Sequence, residues 1–519
     1  MRILRWVIVL TLLLGLGLSL PAQEPEAEEK PDAESTKPET KEKPAEKKKE
    51  EAEEKPVVTH HQITVQGKAL KYTVTTGKMP IRNEEGETEA HIFFMAYTLD
   101  NPPNAARRPL MFSFNGGPGS SSVWLHLGAV GPRHVKLRTE GGMPSPPFEL
   151  QDNPHTWLDQ TDLVFIDPVG TGYSRPFKKE LGKKFWGVKG DVESVGEFIR
   201  LYLARYERWG SPLFLVGESY GTTCAAGLSG YLIDNGIALN GIVLVSSVLN
   251  FQTLEFTKGN ELPYVLYLPS YTATAWFHKK LAADLQQQDL NKVLAEVEQW
   301  ASTEYEAALA KGDALTSEER GQVADRLARY TGLKKSYIDA TDLRIEAGNF
   351  EKELLRDQKR TVGRLDSRFL GIDASGVSES PDYDPSEAAV RPPFTSTFNN
   401  YVRSELGYKT DDRYYILGGL FRQWEWGSAG EGFPDVGPAL RKAMVKNPYM
   451  KIFVASGHYD LATPFFATDY TLHHLGLDPT LRDNISTGEY DAGHMMYIND
   501  PSLAKLKQDV SAFLDRALK

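Results

Sequence analysis

The chain reads as an α/β fold, a mixed and mostly parallel sheet flanked by helices, with a helical block inserted late in the sequence. Three observations predict this. Five short runs, 110–114, 163–166, 213–216, 241–245 and 451–455, are apolar throughout, as strands are when helices cover both sheet faces. Before them, between 59 and 100, apolar and polar residues alternate around 62–65, 72–74 and 92–97, the pattern of antiparallel strands at a sheet edge. Helical patterns separate several of the apolar runs, for example 191–208 and 222–233. Alternating strands and helices build a parallel sheet.

The N-terminus comes first. Met1-Arg2-Ile3-Leu4-Arg5 is basic, Trp6 to Leu20 is apolar, and Pro21-Ala22-Gln23 offers a small residue for cleavage. The apolar run is short for a membrane span, so residues 1–22 read as a signal peptide. No later run is long enough to cross a bilayer, and no stable membrane span is expected after cleavage. The expected location is secreted, periplasmic or cell-envelope. Residues 23–56 read as a disordered Glu/Lys/Pro-rich linker. From Glu24 to Pro56 there is no aromatic residue and no Val, Ile, Leu or Met, so nothing there can bury a core. Thirteen acids and eight lysines give this stretch −5 of the net −11. The remainder is only mildly acidic, and no basic patch suggests nucleic acid. The sole cysteine is Cys224, which excludes an internal disulfide despite the oxidising compartment that export implies.

The rest of the 519-residue chain is longer than one domain usually needs. No internal repeat is evident. Residues 57–250 and 399–519 read as the α/β core, and 251–398 as an inserted helical cap. Helical patterns there cover 279–310, 317–330, 334–338 and 349–356, and Pro-rich loops are expected around 381–393. An insertion between the fourth and fifth apolar runs falls over the C-terminal strand edge, where open α/β sheets bind ligands.

Gly217-Glu218-Ser219-Tyr220-Gly221 follows the run 213–216 and precedes a helical pattern. Strand, sharp turn and helix make a nucleophile elbow, with the serine hydroxyl projecting above the sheet. An elbow serine needs an acid and then a histidine later in the chain. Asp460 lies just beyond 451–455, in Ser456-Gly457-His458-Tyr459-Asp460, and His494 stands in Asp491-Ala492-Gly493-His494-Met495. His473 and His474 fall on a helical pattern at 468–475 and read as surface. His126, Asp167 and Cys224 read as structural. Asp167 precedes the serine and cannot take the acid's place in the order. The Tyr220 N–H is one donor for an oxyanion. Asn115-Gly116-Gly117-Pro118-Gly119, after the run 110–114, can supply a second. Paired glycines admit a substrate close to the backbone, and no lysine follows at phosphate-loop spacing.

FNGGPGSSS, DPVGTGYS, GESYG, ASGHYDLATP and DAGHM, in this order, resemble the serine carboxypeptidases, the carboxypeptidase Y-like branch of the α/β-hydrolases. The resemblance spans roughly 110–248 and 401–515. It implies Ser219 as nucleophile, His494 as general base then acid, and Asp460 as its orienter. Gly117 and Tyr220 would supply the oxyanion N–H groups. Asn115, the Gly116 amide and a protonated Glu218 would hold a substrate's terminal carboxylate. A carboxyl can donate to a carboxylate only while it keeps its proton, which implies better activity in acid. The chain departs from the family at four points. The partner glutamate falls at Ala129, the tryptophan before N-G-G at Ser113, and a disulfide cysteine at Ser120. Asp167-Pro168-Val169 is also one residue short of the usual D-Q-P-V. The expectation is an exported serine carboxypeptidase acting on peptide or protein C-termini, without metal or cofactor. An esterase or acyltransferase on the same triad, or an inactive cell-envelope binding protein, are the alternatives.

Overall fold

The computed structural model describes residues 53–427 and 432–519. The expected signal peptide, and the linker up to residue 52, lie outside the described residues. Glu53 is already ion-paired, with Arg205 at 2.7 Å and Arg82 at 3.3 Å.

Among the described residues one ten-stranded sheet forms, and nine of its strands make a continuous path. They are β1 (Val57–Val65), β2 (Lys68–Arg82), β3 (Thr88–Leu99), β4 (Leu110–Phe114), β5 (Asp162–Ile166), β6 (Leu213–Ser219), β7 (Gly241–Ser247), β8 (Lys451–Gly457) and β9 (Ile485–Tyr490). Their order is β1-β2-β3-β5-β4-β6-β7-β8-β9, and the short strand Arg175–Pro176 pairs with β3. The alternating edge is antiparallel from β1 through β5. Every pairing from β5 onward is parallel. Each apolar run of the sequence is a strand of this sheet. Strand order reverses between β4 and β6, and at such a switch point the loops leaving two neighbouring strands diverge and open a crevice. Those two loops carry Asn115–Gly119 and Ser219.

Successive strand residues point to opposite faces, and two apolar layers follow. Met111, Phe165, Val216, Val243 and Phe453 pack on one face with α6 (Pro385–Ser404) and α9 (Asp500–Ala517). Phe112, Val164, Leu215, Leu244 and Val454 pack on the other with α1 (Val188–Arg205), α2 (Tyr220–Asp234) and α7 (Gly437–Lys446). The remaining helices named below are α3 (Leu262–Phe277), α4 (Leu290–Trp300), α5 (Ser317–Thr331) and α8 (Phe465–His473).

The insertion has its own core. Tyr267, Tyr271, Val297, Trp300, Leu327, Tyr330 and Phe350 pack together from α3, α4, α5 and the segment after them, and Leu461 joins them from beside Asp460. A capping box starts α5, with Thr316 and Glu319 bonding each other's backbone N–H. The pattern at 279–310 resolves into shorter helices, 283–286, 290–300 and 306–311. Two expectations are corrected. The Pro-rich stretch 381–393 is not all loop, because Pro385 opens the twenty-residue α6, which runs through Pro392 and Pro393. Val390, Phe394, Phe398 and Tyr401 of this helix are buried in the sheet's own core. The cap boundary placed at 398 therefore cuts a core helix. Among the described residues no helix is long and apolar enough to cross a membrane.

Asp162, buried at the start of β5, joins three parts of the sheet. Its Oδ1 accepts the Leu99 N–H at 3.0 Å and Arg108 Nε at 2.8 Å, and its Oδ2 accepts Arg208 Nη1 at 2.7 Å. Asp162→Ala would leave both guanidinium groups buried without their anion. The expected loss is about 3–5 kcal/mol by chemical denaturation. A loss below about 1 kcal/mol would place the cluster with solvated surface pairs.

Candidate active site

Ser219 ends β6 and precedes α2 with φ 60° and ψ −131°. This left-handed backbone costs a residue with a side chain about 1–3 kcal/mol. Backbone-to-backbone packing maintains it. A Cβ on Gly217 would lie 2.2 Å from the Gly221 carbonyl oxygen, and one on Gly116 would lie 2.4 Å from the Tyr220 nitrogen. Strand, helix and glycine loop therefore meet where no side chain fits. Glu218 and Tyr220 are buried, while Ser219 keeps partial exposure.

The loop after β4 closes through a bond from the Ser120 N–H to the Gly116 carbonyl at 2.9 Å. Gly117, at φ +104°, is exposed between buried residues 110–116 and 118–130. Gly116, the residue before Gly117, packs directly on the Tyr220 nitrogen. Tyr220 is the first residue of α2, so its N–H has no acceptor within the helix. At Ser120, where the family has a cysteine, the hydroxyl accepts the Trp124 indole N–H at 2.8 Å.

Asp460 and His494 are buried and joined. Asp460 Oδ2 accepts from His494 Nδ1 at 2.7 Å and from Thr463 Oγ1 at 2.8 Å, and Oδ1 accepts the Ala462 and Thr463 N–H groups. Asp460 is thus an acceptor only, and Nδ1 must carry the hydrogen it receives. In the neutral imidazole that leaves Nε2 as the nitrogen without a hydrogen. Burial opposes a charge on His494, but the neighbouring Asp460, its hydrogen bond and Glu218 outweigh burial and raise the imidazole's pKa. The Ser246 hydroxyl donates to the His494 carbonyl at 2.6 Å, and the next residue, Ser247, stands in register with Ser219. The His494 backbone is therefore pinned beside the elbow. Among the described residues no hydrogen bond joins Ser219 Oγ to Nε2. Such contacts commonly tighten only when substrate is bound.

Segment 364–367 of the insertion stitches the loops carrying Asp460 and His494 together. The Leu461 N–H donates to the Arg364 carbonyl, the His494 N–H to that of Leu365, and the Ser367 N–H to that of Tyr459. Asp366 accepts the Gly493 N–H and binds the Arg368 guanidinium. His458 contributes too, bonded to Asp491 at 3.2 Å and Glu489 at 3.1 Å. Burial disfavours its charge, yet those two carboxylates raise its pKa to about 9.

The residues expected at a substrate carboxylate also converge. Glu218 is buried and its pKa is raised to about 7, chiefly by that burial. Tyr497 donates to Glu218 Oε2 at 2.5 Å. The Asn115 side chain lies close enough to lower the pKa of both Glu218 and Tyr497, and its Oδ1 accepts the Leu125 N–H at 3.1 Å. Sequence reasoning missed Tyr497, Thr463 and the 364–368 seam.

The residues read as structural lie apart from this chemistry. His126 bonds the Tyr97 hydroxyl at 2.7 Å, and burial lowers its pKa to about 3. Asp167 accepts the Ser122 N–H and hydroxyl, both at 2.9 Å. Cys224 is buried, and His473 and His474 are exposed at the end of α8.

Gly116→Ala tests the contact that joins loop to elbow. Forcing a methyl against backbone should cost about 1–3 kcal/mol and slow fluorophosphonate labelling of Ser219 at least tenfold. Unaltered labelling and melting temperature would show that the loop does not rest on the elbow.

The profile of the serine carboxypeptidase family matches residues 68–493. Serine carboxypeptidase-like 7 of Arabidopsis thaliana is 29% identical over 154 residues, covering 29% of this chain and 33% of that protein. Serine carboxypeptidase-like 51 of the same plant is 30% identical over 197 residues, covering 35% and 39%. The chain thus covers about a third of the length of the first curated relatives it matches. The solved structure of the prohormone-processing carboxypeptidase Kex1 from Saccharomyces cerevisiae shares the fold. Its TM-score is 0.54 at 16% identity, covering 85% of this chain and 91% of that one.

Proposed function

Since the chain belongs to the serine carboxypeptidase family, we propose that it is an exported serine-type carboxypeptidase that releases C-terminal residues from peptides through an acyl-enzyme on Ser219. The observation that carries this reading is the buried 2.7 Å bond between Asp460 and His494, pinned beside a strained and accessible serine. Asp460 holds the imidazole with Nε2 unprotonated. Nε2 takes the Ser219 proton as Oγ attacks the carbonyl carbon of the last peptide bond. The oxyanion receives the N–H groups of Gly117 and Tyr220, fixed before the charge develops. His494 then returns the proton to the leaving amine, and the departing residue carries away its carboxylate. Water, deprotonated by His494, hydrolyses the ester. No step requires a metal or cofactor.

Asn115, the Gly116 amide and protonated Glu218 would hold the terminal carboxylate. A hydrogen bond from a neutral acid is favourable there, whereas an ionised Glu218 would repel the ligand. An esterase or acyltransferase on the same triad is the second reading. It is favoured by the absence of a carboxyl at Ala129, the expected companion of Glu218.

Comparing a blocked dipeptide with its C-terminal amide separates these readings. The free acid should be cleaved far faster, and equal rates would favour the esterase. Ser219→Ala should lower kcat by ~10⁶ with an unchanged circular dichroism spectrum, and undiminished turnover would refute the acyl-enzyme. Export is proposed from residues 1–22 alone. N-terminal sequencing of the secreted or envelope protein should begin at Gln23, and a chain beginning at Met1 would refute cleavage.

A further inference from the structure

We infer that Tyr497 is a specificity-determining residue, one that sets the upper limit of the pH range in which this site accepts a carboxylate-ended substrate. The inference rests on the carboxypeptidase reading above and adds to it the residue that governs Glu218.

The geometry is unusual for a carboxylate site. The position at which the family supplies a second glutamate is Ala129, which carries only a methyl group, and its neighbour Gly128 has no side chain. Tyr497 uses the room so left. A Cβ on Gly128 would lie 2.4 Å from the ring's Cε2 and 2.7 Å from its Cδ2. The ring is fully buried, and its hydroxyl ends 2.5 Å from Glu218 Oε2. The 3₁₀ turn Met496–Ile498 that aims it begins two residues after His494. Nucleophile loop and histidine loop thus meet at a phenol–carboxyl pair.

The difference between a phenol and a second carboxyl is the proton. Two adjacent carboxyls share one and titrate together. Burial, reinforced by the neighbouring Glu218, pushes the Tyr497 hydroxyl well above its ordinary value of 10. It therefore remains a donor at every pH where the enzyme could act. A fixed donor stabilises the ionised form of its acceptor. The groups that face Glu218 are Tyr497, Asn115, His494 and Asp460. Burial raises Glu218 most and Asp460 adds to that, while the His494 charge, the Tyr497 bond and the nearby Asn115 amide pull it back toward the usual carboxylate range.

The sign of the effect follows. Below about pH 7 Glu218 is neutral, donates to the substrate carboxylate and binding is strong. Above it Glu218 is ionised, and only the shrinking neutral fraction binds. KM for a free-acid peptide should then rise about tenfold per pH unit. A C-terminal amide presents no charge, so its KM should not follow this titration. Deleting the phenol hydroxyl removes a bond that favours ionised Glu218, so the onset of the rise must move to higher pH.

The test measures kcat and KM from pH 5 to 9 for one blocked dipeptide and its amide, with the wild type, Tyr497→Phe and Glu218→Gln. In Tyr497→Phe the alkaline rise in free-acid KM should begin about one pH unit later, with the amide profile still flat. A wild-type preference for the free acid with an unmoved onset in Tyr497→Phe would overturn the role of Tyr497 and leave the peptidase reading standing. No preference for the free acid at any pH would overturn that reading, and this inference with it. Glu218→Gln keeps the side chain's shape and cannot ionise, so it should abolish the rise even if Tyr497→Phe does not fold. A rise that survives Glu218→Gln would place the titrating group elsewhere and overturn the inference.

Discussion

The structure of the site depends on one close approach, that of the Gly116 backbone against the amides of Tyr220 and Gly221, where even a methyl group would collide. Ser219 holds φ 60° only because strand, turn and helix are over-determined by this packing. The same contact sets the loop that carries Gly117 against the start of the helix at Tyr220. Under the proposed function, strain at Ser219 and the placing of the two amide donors are therefore two consequences of one constraint. The constraint itself comes from sheet topology, because the loops after β4 and β6 meet where the strand order reverses.

The second half of the machinery is held by a similar approach and by further bonds. Asp460 and His494 sit on loops after β8 and β9, which meet where a Cβ on Gly457 would lie 2.3 Å from the Gly493 carbonyl oxygen. Segment 364–367 of the insertion bonds both loops, Leu461 anchors one of them in the insertion's core, and Ser246 holds the other against β7. The insertion is thus part of the frame that sets the orientation of the imidazole. An imidazole misplaced by about 1 Å can cost 10²-fold in rate, which is a physical reason for supporting these loops from above as well as from the sheet.

Much of this was legible in the residues. The five apolar runs are strands because a run buried on both faces must be apolar at every position. The elbow was legible because Gly217 and Gly221 flank Ser219 at the spacing that backbone contact demands. What escaped detection depended on distant partners. Helix α6 carries Pro392 and Pro393, which argue locally for a loop, yet Phe394, Phe398 and Tyr401 gain enough burial in the sheet's core to override that preference. Helix α3 is apolar around most of its circumference and holds Pro269, so no amphipathic stripe announces it. Nothing adjacent to Tyr497 indicates that its hydroxyl reaches Glu218. The only trace is a lack of bulk at Gly128 and Ala129, and a missing side chain does not say what fills the space. The 364–368 seam is made largely of backbone bonds, which leave no mark on residue type.

The Tyr497–Glu218 bond also bears on the triad itself. Glu218 contributes to the charge that His494 experiences. An ionised Glu218 would favour the protonated imidazole and weaken it as a base, so under the proposed function the state that would repel a substrate carboxylate would also hinder activation of Ser219. A substrate bound to neutral Glu218 brings its own negative charge, and the field at His494 then comes from a group that leaves with the product. A second carboxyl in the place of the phenol would add a proton that could come and go, and with it a variable charge close to the base. The phenol contributes hydrogen bonding without a variable charge. Under the proposed function Glu218, whose burial and donors set its titration, bears on the substrate contact and adds to the larger effects of burial and Asp460 at His494.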